Sequence, residues 1–163
     1  SERPDDYQQN VDRLSKKFNS ARDWMPAPVV DINHKASIGI IAYGTSHWAV
    51  VESRDQLQVE AGVETSYYRI CAYPFREALE SFIDRYERVY VVEQNRDAQM
   101  LSLMKLELTP EHVSRLRSVL HYSGLPIDAR SITDNVLVQE GYRVERAVAG
   151  ASRTRRDASV GGE

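Results

Sequence analysis

Strand-like and helix-like stretches alternate along this chain with only a few residues between them. Ser37-Ile38-Gly39-Ile40-Ile41-Ala42-Tyr43 is a nearly continuous apolar run, as a strand buried on both faces requires. Gly44-Thr45-Ser46 breaks it, with Thr45 or Ser46 suited to cap a helix over His47–Glu60. Gly62 stands where a left-handed residue ends such a helix. A second cycle follows: a strand over Val63–Tyr73, then a helix opened by Pro74 with the stripe Phe75, Ala78, Leu79, Phe82, Ile83 and Tyr86. Val89–Val92 reads as a third strand, and Ala98–Leu106 as a helix with Leu101 and Met104 inward. Parallel strands need crossover connections, and the helices that supply them cover the sheet faces. The pattern therefore predicts an α/β fold: three layers, with a mostly parallel, doubly wound sheet in the middle.

The ends of the chain read differently. Tyr7, Val11, Leu14 and Phe18 lie at helical spacing, and Met25-Pro26-Ala27-Pro28 must end that helix. Such a helix, ahead of a proline linker, is expected to pack on something outside the domain. Thr109-Pro110-Glu111-His112 starts another helix, and Ser118–Tyr122 fits an edge strand. Asp128 caps a last helix through Val138 with Ile132 and Val136 inward. The expected organisation is a helix and linker over 1–35, an α/β domain over 36–140, and a flexible tail over 141–163 that contains Arg153, Arg155 and Arg156.

Composition narrows the chemistry. Of 163 residues, 42 % are hydrophobic, enough for one buried core, and the net charge of -3 gives no reason to expect nucleic acid. No apolar run approaches the ~20 residues of a membrane helix. The polar start Ser-Glu-Arg-Pro-Asp-Asp does not read as a signal peptide. The single cysteine, Cys71, cannot form a disulfide within the chain. Nor can it hold an iron–sulfur cluster alone, which takes about four thiolates. Its apolar-alternating surroundings predict a buried, inert thiol, and the composition fits a reducing cytoplasm. His34, His47, His112 and His121 show no metal-site spacing, and no Gly-x-Ser-x-Gly elbow occurs.

Ligands in open parallel sheets collect at the carboxyl ends of the strands. Three loops qualify. Gly44-Thr45-Ser46 offers hydroxyls and a helix N-terminus to an anion, or is simply a strand–helix turn; it is neither GxGxxG nor a Walker loop. Tyr73-Pro74 suggests no chemistry. Glu93, Gln94, Asn95, Arg96, Asp97 and Gln99 concentrate polar groups after an apolar strand. They could bond a ligand or a partner chain, or form the capping network of the next helix.

Several segments carry a family resemblance. Ile38–Ser46 resembles the opening strand and turn of the transketolase C-terminal-like domain. Val91-Val92-Glu93-Gln94-Asn95-Arg96-Asp97-Ala98-Gln99-Met100 resembles the VEQNxxGQM segment of 2-oxoacid:ferredoxin oxidoreductase alpha subunits. His121-Tyr122-Ser123-Gly124-Leu125-Pro126-Ile127 is similar to their YNGLP segment, and Ala72-Tyr73-Pro74-Phe75 to their xPFP turn. Asn19-Ser20-Ala21-Arg22 and the proline linker resemble the join to the preceding domain. The matches run in family order over about Lys17 to Asn135. Ala98 replaces a usual glycine, which a helix start tolerates, and Ser123 replaces a common asparagine.

The resemblance implies an accessory, assembly domain that is not catalytic by itself. The implied complex decarboxylates a 2-oxoacid such as 2-oxoglutarate on thiamine diphosphate and magnesium. Iron–sulfur clusters pass the electrons to ferredoxin, and coenzyme A takes the acyl group. The cofactors bind elsewhere, so the implied partners are the remainder of the alpha subunit and a beta subunit. Gly44, Thr45, Ser46, Glu93, Gln94, Asn95 and Gln99 carry over as positions lining a domain or subunit contact. The competing expectations are a stand-alone anion- or nucleotide-binding module and a dimerisation domain of a transketolase- or E1-like enzyme.

Overall fold

The fold follows from one sheet and the two layers that the alternation of its side chains creates. A computed structural model describes residues 3–144. The elements are α1 (Pro4–Trp24), β1 (Val29–Asp31), β2 (Ile38–Tyr43), α2 (His47–Ala61), β3 (Thr65–Ile70), α3 (Ala78–Ile83), β4 (Arg88–Glu93), α4 (Gln99–Lys105), α5 (Pro110–Arg115), β5 (Leu116–Leu120) and α6 (Ala129–Gln139). The five-stranded sheet has the order β1-β3-β2-β4-β5. β2 pairs parallel with both β3 and β4, and β5 pairs parallel with β4. Val89–Val91 thus lies inside the sheet, opposite Gly39–Ile41.

The period of two sends successive residues to opposite layers. Ile38, Ile40, Ala42, Tyr67, Tyr90 and Val92 pack with Val50 and Leu57 of α2 and Ile132 and Val136 of α6. Ile41, Tyr68, Val89 and Val91 pack with Leu79, Phe82 and Ile83 of α3 and Leu101 and Met104 of α4. Every strand residue from Ile38 to Ala42 is buried, which is why this run shows no polar alternation. Gly39 faces α3, where a Cβ would stand 2.8 Å from Phe82 Cε1 and 2.9 Å from Tyr86 Cδ2. Glycine lets these rings lie directly on the β2 backbone.

The expected caps divide into those formed and those replaced. Thr109 accepts the His112 N–H, Asp128 accepts the Ser131 N–H, and Gly62 ends α2 at φ 66. Neither Thr45 nor Ser46 caps α2: Gly44–Ser46 forms a single 3-10 turn instead, and both hydroxyls are engaged across the sheet.

Tertiary contacts overrule four other expectations. Pro74 does not open a helix. The Tyr73–Pro74 peptide is cis, and α3 begins only at Ala78. The intervening turn buries Phe75 and aims Arg76 at the carbonyls of Asp23 and Met25, so core packing and a bond to the end of α1 set its path. Cys71 is exposed, because β3 ends at Ile70 and leaves it on the rim. Ala98 is more than a tolerated helix start: it sits at φ 50, where its methyl is strained and glycine is at ease. Finally, Val29–Asp31 forms an antiparallel edge strand on β3, within the segment read as linker.

α1 buries none of its residues. It is tied to the body near its C-terminal end by the Phe18–Tyr73 ring contact at 5.8 Å and the Arg22–Glu107 ion pair at 2.8 Å. Of the segment expected as a flexible tail, only Gly141–Val144 is described. There the Tyr142 N–H donates to the Leu137 carbonyl at 2.9 Å and Val144 packs on the core. The rest, with Arg153, Arg155 and Arg156, lies outside the described residues.

Candidate functional site

The carboxyl ends of β2, β4 and β5 bring the sequence-predicted residues together. Glu93 is the last residue of β4 and falls on the same face as Val89 and Val91, toward α4. It is fully buried. Oε2 accepts the Met100 N–H at 2.7 Å and the Asn95 amide at 2.9 Å, and Oε1 accepts the Leu101 N–H at 3.0 Å. A buried carboxylate is tolerable when its lone pairs are filled this way. Asn95 Oδ1 accepts the Asp97 and Gln99 N–H groups at 3.1 and 3.2 Å. Glu93 and Asn95 together therefore cap α4, in place of its N-cap residue Ala98, which makes no side-chain cap bond.

Gln94 points along the rim. Its Nε2 donates to Thr45 Oγ1 at 2.9 Å and Ser46 Oγ at 3.1 Å. Its Oε1 accepts the Ile127 N–H at 3.3 Å. One side chain thus joins the β2 turn to the segment entering α6. The His121 N–H donates to the Glu93 carbonyl at 2.9 Å, extending the β4–β5 ladder by one bond. Gly44, at φ 57, makes the turn that presents Thr45 and Ser46 to Gln94.

The surroundings shift two neighbouring groups. Burial, then the negative charge of Glu93, pushes the Tyr43 hydroxyl above its ordinary value. Burial, then Arg69, pushes His47 below its ordinary value, favouring neutral imidazole. His47 Nδ1 lies 3.2 Å from Tyr67 Oη, and its ring lies 4.6 Å from that of Trp48.

Around this bonded centre, beside the exposed Arg96–Asp97 ion pair, large apolar side chains stand open. Trp48 is 75 % exposed, Tyr122 66 % and Leu125 73 %. Sequence reasoning did not single out these three. A tryptophan opening a helix, and a tyrosine and leucine in a Gly-Pro turn, were the available signals. The backbone donors of Met100, Leu101 and Ile127 leave no mark in a sequence.

The described residues do not fit a magnesium ion or an iron–sulfur cluster. Among the described residues no three His, Cys, Asp or Glu side chains form a metal-holding group. The rim carboxylate, Glu93, is filled by N–H donors from its own domain. What this arrangement offers is a rigid edge with projecting apolar side chains.

No family model and no curated protein matches this chain. Solved structures do. The 2-oxoglutarate:ferredoxin oxidoreductase from Magnetococcus marinus, with 2-oxoglutarate, coenzyme A and succinyl-CoA bound, superposes over 85 % of this chain with a TM-score of 0.73 and 21 % identity. The chain has the transketolase C-terminal-like fold. A split-gene transketolase, an inactive β4 tetramer, superposes over 69 % of the chain and 41 % of its own length, with a TM-score of 0.53 and 14 % identity. This transketolase C-terminal-like chain spans 24 % of the length of the Magnetococcus oxidoreductase chain. No helix among its described residues is long and apolar enough to cross a membrane.

Proposed function

We propose that this transketolase C-terminal-like chain is an assembly domain of the alpha subunit of a 2-oxoacid:ferredoxin oxidoreductase. Its strand-end rim docks on the cofactor-bearing parts of that complex. The observation that carries the reading is the internal use of the rim's polar groups beside the exposure of Trp48, Tyr122 and Leu125. Exposed aromatic anchors around a fixed centre suit a protein contact better than a reaction. The structural likeness to the Magnetococcus oxidoreductase supplies the reaction class.

In this reading the docking domain is the five-stranded sheet and its helices, from the β1 edge strand at Val29 to the end of α6, and α1 leads into it. Its partners are the remainder of the alpha subunit and a beta subunit, with ferredoxin reached through the complex. Thiamine diphosphate, magnesium, the iron–sulfur clusters and coenzyme A belong to those other parts. The complex oxidises a 2-oxoacid, with 2-oxoglutarate as the first to try, in the cytoplasm. Gly44, Thr45, Ser46, Glu93, Gln94, Asn95 and Gln99 set the shape of the docking edge.

Reconstitution tests this. The purified chain with 2-oxoglutarate, coenzyme A, thiamine diphosphate and a viologen dye should reduce nothing. Mixed with the rest of the alpha subunit and the beta subunit, it should assemble, and Trp48→Asp should weaken assembly while leaving the domain folded. Dye reduction by the chain alone, or unchanged assembly by that variant, overturns the proposal.

A further inference from the structure

The surface that the strand-end rim leaves unexplained is α1. Tyr7, Val11, Leu14 and Phe18 remain 64 %, 45 %, 55 % and 45 % exposed. Each therefore keeps about half its surface to lose. Their spacing of four, three and four continues through Ala21 and Met25. That is an a/d seam, with Val11 and Phe18 at a and Tyr7 and Leu14 at d. The helix is 21 residues, or about 30 Å, long.

We propose that α1 pairs antiparallel with α1 of a second copy of this chain. Charge complementarity selects both occupant and direction. Pro4–Asp12 carries Asp5, Asp6 and Asp12 and no cation. Arg13–Trp24 carries Arg13, Lys16, Lys17 and Arg22 against Asp23 alone. One helix is thus acidic at its start and basic toward its end, and an antiparallel copy sets each half against its opposite. The helix dipoles oppose in the same way.

A parallel pair fails on the flanks. It would set the two acidic starts side by side and the two basic stretches side by side. Lys17, at g, would lie beside Arg22 of the other copy, at e, whose guanidinium is already held by Glu107 of its own body. The antiparallel pair sets Lys17 against Asn10 instead. It stacks Val11 on Leu14 at the centre and Tyr7 on Phe18 at each end. Phe18 already touches Tyr73 of its own body, so the seam runs into the domain at both ends. Because each body is anchored near the C-terminal end of its α1, the two bodies lie at opposite ends of the pair.

Sedimentation equilibrium of the chain should show a concentration-dependent dimer that Leu14→Glu dissociates, with the sheet's circular dichroism unchanged. A Val11→Lys variant gives an independent reading should Leu14→Glu disturb the domain. In a Cys71→Ser background, oxidation of an Asn10→Cys and Lys17→Cys mixture should give a mixed disulfide. A monomer at every concentration overturns the pairing. Cross-linking of Asn10→Cys to Ser15→Cys, the parallel partners, overturns its direction.

Discussion

Glu93 Oε2 accepts the backbone N–H of Met100 at 2.7 Å, fastening the end of β4 to the first turn of α4. The same carboxylate accepts Leu101 N–H through Oε1. The last residue of β4 is therefore a structural clasp, and the rim is shaped by it.

Glu93→Gln replaces one accepting oxygen by an NH2 group, which orphans at least one buried N–H donor. An orphaned donor costs about 1–3 kcal/mol. The urea midpoint should fall accordingly, and amide exchange at Met100 or Leu101 should accelerate. An unchanged midpoint would show that α4 does not depend on this cap.

Gly39→Ala puts a methyl inside contact distance of the Phe82 and Tyr86 rings. Overpacking of this kind costs about 1–3 kcal/mol. Phe82→Leu in the same chain should recover part of the loss, a coupling that a double-mutant cycle reads directly.

Ala98→Gly relieves a left-handed alanine at φ 50. That strain is worth about 1–2 kcal/mol, and the added freedom of the unfolded chain takes back roughly 0.4–1 kcal/mol. A net gain of about 0.5 kcal/mol is expected, seen as a small rise in urea midpoint.

Burial pushes the Glu140 carboxyl up, but its bonds from Arg88 and Tyr90 pull it further down, below its usual 4.5. Its folded value is thus lower than its unfolded one. The stability it contributes is complete above the unfolded value and disappears as pH falls through the folded value. Glu140→Gln should lower stability at neutral pH and flatten the acid limb of stability against pH. An acid limb identical to the parent's would refute the assignment.

Cys71 is exposed at the rim. It should react stoichiometrically with a disulfide reagent in the native chain, without denaturant. If Trp48 and its neighbours form the docking edge, assembly with the partner subunits should slow that reaction.

The sequence by itself determined the central parallel strands of the sheet, though not its β1 edge. The buried runs Ile38–Tyr43 and Val89–Val92, the stripe Leu79–Phe82–Ile83 and the caps Thr109, Asp128 and Gly62 are local signals, and each stands where its periodicity or cap chemistry puts it. The placement of Gly44–Ser46 and of the polar run from Glu93 at strand ends was legible too, because a turn or a polar cluster directly after an apolar strand is conspicuous.

Only the tertiary structure decided what those positions do. Gln94 reaches Thr45, 49 residues earlier in the chain, and Ile127, 33 residues later. Glu93 spends its carboxylate on backbone donors, and Arg76 draws the Pro74 turn toward α1. Short-range spacing encodes which face a residue occupies. Which distant atom fills its lone pairs is fixed only when the chain has closed into layers, and that choice separates a clasp from a catalytic group.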